Sequence, residues 1–272
     1  MAGFFLMMAI SFYMDYSFEE EILGNLADHV RSKSPSQNPE DLIVTALNVS
    51  NYLEDRATEV FHDKNFESLK VKLMSTSFSA YNYGGGACGS YTLFLARVLK
   101  KMGFKEKIVQ LRVNGVWGGH ITLAVESGDK LLLVDPLFNC AFKDSLGHLS
   151  DIHIVSQNWN SLYKNEVPAN YNKAYDYQSG WRYTNWDKFG FLSRSAFKTG
   201  VFIFGKKRMD KVSLHYYYLG LSRIYFFTAL GGFFIFFFIL LRDFVRDRKK
   251  RRTSPQTHVI NKDYTEPAIH SA

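Results

Sequence analysis

Apolar and polar positions recur in two different rhythms along this chain, and the change of rhythm divides it. From Ser17 to roughly Ser32, Ile22, Leu23, Leu26 and Val30 share one helical face. Ser34 to Asn38 reads as a linker. Asn38-Pro39-Glu40-Asp41 is a helix start: Asn caps, Pro occupies the first turn, and the acids meet the positive end of the dipole. That helix runs through Leu47 and Leu53 to about Phe61, and a third is expected over Phe66 to Met74. After Gly89, Tyr91, Leu95, Val98, Leu99 and Met102 again keep helical spacing, with Lys100 and Lys101 in the last turn and Gly103 as the stop.

The period then falls to two. Gly119 to Glu126 places Ile121, Leu123 and Val125 on one face and His120, Thr122 and Ala124 on the other. Lys130 to Asp135 is a second strand ended by Pro136, with Gly128-Asp129 as the turn between them. A two-residue turn sets Ser127 opposite Lys130. Asp135 then faces Thr122, on the same side as His120 and diagonal to it at ~7–8 Å. A three-residue turn would send Asp135 to the other face.

Both ends of the chain are apolar. Ile224 to Leu241 carries no charge and is rich in Phe, Ile and Leu. At helical rise it spans ~27 Å, close to the ~30 Å hydrocarbon core of a bilayer. Extended back through Tyr216-Tyr217-Tyr218, it predicts one transmembrane helix over 216–241 in a single-pass protein. Lys and Arg crowd the stretch from Arg242 to Arg252, whereas only Lys211 and Arg223 lie in the fifteen positions before the run. The positive-inside rule therefore puts the basic tail, 242–272, in the cytoplasm and the rest of the chain outside it. That tail has no periodicity toward its end and is expected to be disordered. At the other end, 1–15 is an apolar segment without a basic flank. It is compatible with a signal peptide, a signal anchor or an apolar helix that packs on the domain.

Composition narrows the function classes. The chain has 272 residues and a formal net charge of +7, but much of the excess sits in the tail, so the charge points to a membrane surface before nucleic acid. Trp159 to Phe191 mixes many aromatic side chains with Asn, Lys, Ser and Asp. It suits a wet groove for a peptide or sugar chain, or equally an irregular segment whose rings cover the core. It lacks the interleaved basic residues of a platform for single-stranded nucleic acid. Two cysteines, Cys88 and Cys140, make no disulfide framework, and both are expected free, Cys140 in a structural role. No zinc-ligand spacing occurs, and His148 and His153 read as loop or solvent histidines. No metal or cofactor is expected.

One constellation carries chemistry. In Gly84-Gly85-Gly86-Ala87-Cys88-Gly89-Ser90-Tyr91, Cys88 opens a helix beneath a glycine run. Free N–H groups and the positive dipole end favour a thiolate there and could stabilise an oxyanion. A lone cysteine on an apolar helix face is more often a small buried hydrophobe. Here His120 could serve as its base and Asp135 as the acceptor that orients the base, on one face of a hairpin.

These residues resemble the transglutaminase-like core. The resemblance rests on Cys88 in "GGGACGSYTLFLARVLKKMGF", then "IVQLRV", His120 in "GGHITLAVE" and Asp135 in "LLLVDPLFN". It covers roughly Tyr81 to Asn139, under a quarter of the chain. "HIT" stands where family members often have "HAW". The resemblance implies an α+β, papain-like core with an antiparallel sheet packed on the Cys-bearing helix. Helices would occupy 17–80 and the catalytic core 81–200. It also implies Cys88 as nucleophile, His120 as general base and then acid, and Asp135 as orienter. An oxyanion donor would come from Tyr81, Asn82 or Tyr83. The expected activity is a membrane-anchored cysteine enzyme acting on amide bonds of a peptide, protein or cell-wall peptide. Hydrolysis of the peptidase or amidase type is the simpler reading, ahead of transfer to an amine. The alternatives are a catalytically silent binding module of the same fold at the membrane, or a membrane scaffold in which Cys88 and His120 lie far apart.

Overall fold

The computed structural model describes residues 1–60, 78, 81, 87–184, 186, 190–213 and 221–253. The expected helix over Phe66 to Met74, the glycines Gly84 to Gly86, the interfacial Tyr216 to Tyr218 and the tail from residue 254 lie outside the described residues. The fold is α+β. Helices α1 (Ala2–Lys33), α2 (Pro39–Val60) and α3 (Cys88–Lys101) precede strands β1 (Lys105–Val113), β2 (Val116–Ser127), β3 (Lys130–Asp135) and β4 (Cys140–Ala141). Helix α4 (Ile152–Asn158), strand β5 (Tyr175–Asp176), helix α5 (Gly190–Phe204) and helix α6 (Leu221–Thr253) follow, with shorter helical turns between them. The sheet is antiparallel with order β4-β3-β2-β1-β5.

Local chemistry accounts for most boundaries. Asn38 caps α2: its Oδ1 accepts the Asp41 N–H at 2.8 Å. Gly103, at φ 94°, follows α3 in a conformation that costs glycine nothing. The β2–β3 turn has Gly128 at φ 59°. It is two residues long, so Ser127 opposes Lys130 and Leu123 opposes Val134. Asn114-Gly115, both at positive φ, turn β1 into β2 in the manner of a type I′ hairpin.

The sheet separates two apolar layers. On one side Ile108, Leu123, Val125, Leu132 and Val134 meet α3, α2 and the second half of α1. Helix α3 lies between those helices and the sheet, and Ser90 to Leu99 are buried without a break. On the other side Val109, Leu111, Ala124 and Leu133 are covered by Phe142, Trp159, Tyr163, Tyr171 and Tyr177. Most described rings of the aromatic-rich segment are therefore core: Trp159, Tyr163, Tyr171, Tyr175, Tyr177, Tyr183 and Trp186 are buried, while Phe191 at its end is exposed. A sheet covered by helices on one face still exposes the other, and these rings bury it.

The chain ends depart further from the sequence expectation. The apolar segment 1–15 and the expected helix from Ser17 form one continuous helix, α1. Helix α6 continues through the basic run to Thr253, so residues 242–253 are ordered helix and not irregular tail. Arg and Lys are good helix formers, and Arg248 lies over the Phe244 ring one turn back, 4.6 Å from its centroid. Among the described residues one helical stretch, Ser222–Lys249, is long and apolar enough to cross a membrane by length and composition. Its apolar side chains are largely exposed, Ile235 and Phe238 among them.

Candidate active site

Cys88 is the first residue of α3, and Ala87 before it supplies no side-chain acceptor to the first turn. The N–H groups there are not committed to a cap side chain. His120 lies in β2 and Asp135 ends β3, both fully buried. The two-residue turn sets them on one face, and His120 Nε2 donates to Asp135 Oδ2 at 2.6 Å. The diagonal pairing expected from the register is present.

His120 is aimed by a bulge. Its Cα pairs with Leu111, but the next pair is Arg112 with Trp117, so Gly118 and Gly119 are extra residues on β2. Gly118 is at φ 78°. A Cβ on Gly119 would come 2.6 Å from Val113 Cβ. Only glycine lets the two strands close at that point, immediately before the histidine.

The imidazole is held on one face and at one nitrogen. The Tyr175 ring stacks on it, with centroids 3.8 Å apart and planes at 6°. Asp135 holds Nε2. The remaining nitrogen, Nδ1, is buried and makes no complete hydrogen bond. Cys88 nevertheless lies close enough for each group to shift the other. Burial pushes the Cys88 thiol up, but the neighbouring His120 ring and its charge, with the Ile121 backbone N–H, bring it below its ordinary value. Burial works against the His120 cation, and Asp135 and Cys88 outweigh it, raising the ring to about 9. Each group therefore shifts the other toward its charged form, thiolate beside imidazolium.

Behind Asp135 stands a chain of phenols. Tyr171 Oη donates to Asp135 Oδ2 at 2.7 Å. Because its proton is used there, Tyr177 must donate to Tyr171 across their own 2.7 Å contact. Burial holds both phenols well above their ordinary range, so both stay donors. Cys140 pairs with Asp135 across β3 and β4. Burial, and then the nearby Asp135 charge, push its thiol up to about 12. Both cysteines are free, and only Cys88 has an activated environment.

The structure thus brings together the three residues singled out by sequence. Of the three oxyanion candidates, Asn82 and Tyr83 lie outside the described residues. The Tyr81 ring stacks on Phe94, centroids 4.9 Å apart, and contributes to the core. His148 is an exposed loop residue 3.3 Å from Glu40. His153 is exposed and packs edge-on against Trp181. Among the described residues no cluster of His, Cys, Asp or Glu could hold a metal ion. Sequence reasoning missed the site roles of Tyr171, Tyr175 and Tyr177, because nothing in an aromatic-rich segment says which ring reaches a site far upstream. It also passed over Gly118-Gly119, although two glycines directly before a candidate base are a readable sign of a bulge.

Comparison of the chain with protein-family models, with curated proteins and with solved structures finds no match.

Proposed function

We propose that this chain is a membrane-anchored, transglutaminase-like cysteine enzyme that hydrolyses amide bonds of peptides through Cys88, His120 and Asp135. The observation that carries the proposal is the buried His120 ring, joined to Asp135 at 2.6 Å and electrically coupled to a thiol at a helix N-terminus. The Cys88 thiolate adds to the amide carbonyl carbon, and first-turn N–H groups receive the oxyanion. His120 gives its proton to the departing amine as the C–N bond breaks, leaving a thioester. Water then attacks the thioester while His120 takes its proton, and the acid leaves as the thiol is restored. Asp135, held by the Tyr171 hydroxyl, keeps the ring oriented through both steps. The basic run after the membrane helix supports an arrangement with the site outside the cytoplasm, where exposed peptides and cell-wall stem peptides are the available amides.

Alkylation of Cys88 by iodoacetamide across pH tests the reading. Thiolate reactivity should persist well below pH 9, the ordinary thiol value, and His120→Ala should return it to that of a free cysteine. On a responsive peptide amide, the same substitution should lower kcat/KM by roughly 10²–10⁴-fold. The pH profile should be bell-shaped. Its acid limb follows Cys88, and its alkaline limb falls near 9 as His120 loses the proton owed to the leaving amine. The complete burial of His120 and Asp135 favours a second reading, a silent binding module with the same fold. That reading predicts that Cys88 labels no faster than free cysteine, an outcome that would sink the enzyme.

A further inference from the structure

The first half of α1 has no place in the domain core. Its partner is α6. Phe5 stacks on Phe236 with ring centroids 5.4 Å apart, and Phe12 meets Tyr225 at 5.2 Å. The two helices therefore run antiparallel, and the start of α1 lies beside the part of α6 that approaches the basic run. The seam is patterned. On α1 it follows Phe5, Ala9, Phe12, Tyr16 and Glu19, a strict alternation of four and three residues. On α6 it follows Ser222, Tyr225, Ala229, Gly232 and Phe236 in the same steps. Small residues stand at its middle: Ala9 and Ala229 are buried, and a Cβ on Gly232 would lie 2.7 Å from Phe5 Cδ1. Close approach over Ala and Gly is how helices associate in lipid, where apolar burial alone gives no drive.

The outer faces match each other as well. Phe4, Met7, Ile10 and Met14 point away from the seam and are more than half exposed. The first acidic or basic side chain in the sequence is Asp15, level with the start of the charge-free run of α6. At the domain end the seam closes on a buried polar lock. Ser222 Oγ donates to Glu19 Oε1 at 2.8 Å, and Arg97 Nη1 of α3 donates to Glu19 Oε2 at 2.8 Å. Beyond Asp15 on α1 and Arg223 on α6, both next to this lock, neither helix carries an acidic or basic side chain until Arg242.

We infer that residues 2–14 are retained as a second membrane segment, forming with α6 a two-helix hairpin in the bilayer. This places the beginning of α1 and the basic run of α6 on one side and the sheet domain on the other. Residues 2–14 are short for a solitary span at ~1.5 Å per residue. Paired with α6 they need not span alone, because the partner fixes their depth and the bilayer can thin or the helix ends adapt. The inference rests on the membrane anchoring proposed above, and the experiment separates the two. Carbonate extraction of membranes holding the full chain tests anchoring: release of the protein would remove anchoring and hairpin together. Sidedness tests the hairpin. Ala2→Cys, Leu146→Cys in the exposed loop of the domain, and Ser271→Cys are each labelled with a membrane-impermeant maleimide on sealed vesicles and read by peptide mass. With the reagent confined to the Leu146→Cys side, labelling at positions 2 and 271 should be lost together. Confined to the other side, it should label those two and spare position 146. Labelling of Ala2→Cys from the Leu146→Cys side overturns the hairpin while leaving α6 as an anchor. Absence of the residue-2 peptide from the mature protein, as removal of a signal peptide would produce, overturns it equally.

Discussion

Helix α3 carries a buried polar cluster near each end, and the two are built differently. At its N-terminus Cys88 meets His120, which is tied to Asp135 and then to Tyr171 and Tyr177. Toward its other end Arg97 meets Glu19 and through it Ser222. The first cluster leaves a nitrogen, His120 Nδ1, and an oxygen, Asp135 Oδ1, without hydrogen-bond partners in the interior. The second is a short ion pair, with further support from Glu20 at 3.8 Å and from the Phe78 ring 4.6 Å from the Arg97 guanidinium carbon. An incompletely bonded buried cluster costs stability and is kept where groups must change partners, as at a reactive centre. A satisfied one fixes geometry. On this contrast the cluster at Cys88 is the end of α3 that the proposed chemistry needs, and Arg97 is where α1 and α6 are tied to it.

Breaking the satisfied end should have the larger effect on stability. Arg97→Met strands the Glu19 carboxylate, whose side chain is 4% exposed. Loss of one partner of a buried pair costs about 3–5 kcal/mol. Thermal unfolding of the detergent-solubilised protein should show it. The double variant Arg97→Met, Glu19→Leu should recover most of the loss, since a buried pair is often replaced by apolar groups at little net cost. The pH profile of Cys88 alkylation should stay where it was in both variants. A shift in that profile would mean that the two ends are coupled.

The reactive end should give a smaller structural loss and a chemical signature. Tyr171→Phe removes the phenol donated to Asp135. A hydrogen bond to a charged group is worth about 1.5–3 kcal/mol, and the Tyr177 hydroxyl loses its acceptor in the same step. The alkylation profile of Cys88 should move, because Asp135 is the largest influence raising His120. An unchanged profile would reduce Tyr171 to a packing residue.

Legibility from sequence follows the distance along the chain over which a contact acts. His120 and Asp135 are fifteen residues apart. One turn of known chemistry, Gly128-Asp129, sets their register, so pairing and face are readable from the order of residues alone. The glycine-preceded Cys88 and the helix after it are equally local. Tyr171 reaches Asp135 across 36 residues that include β4, α4 and the turns between them. No periodicity constrains such a path, and the same aromatic composition fits a groove or a core. Glu19 and Ser222 are 203 residues apart. Each alone is an ordinary helical residue, and the four-and-three seam that joins their helices is visible only when both are laid side by side. The continuity of α1 is hidden for a related reason. Asp15 and the acids after it mark the end of an apolar stretch, and not a change of secondary structure.

The shortest-range contact completes the series with the smallest effect. Asn38 Oδ1 accepts from the Asp41 N–H three residues on, and Asn38 Nδ2 donates to Asp41 Oδ2, each at 2.8 Å. Everything this cap needs is written within four residues, which is why the sequence alone places the start of α2. It is also exposed, so water can replace what the side chain supplies. Asn38→Ala should cost about 1 kcal/mol, against the roughly 3–5 kcal/mol expected at Arg97. Asn38→Asp should keep the acceptor, although its second carboxylate beside Asp41 adds repulsion. Neither change should touch Cys88 reactivity, since α2 meets the site through Asn51, whose Nδ2 donates to the Pro136 carbonyl more than three turns further along. Denaturant unfolding run beside iodoacetamide labelling checks both halves. A loss as large as that of Arg97→Met would mean that sequence separation does not order these contacts by consequence, and the contrast between the ends of α3 would need another basis.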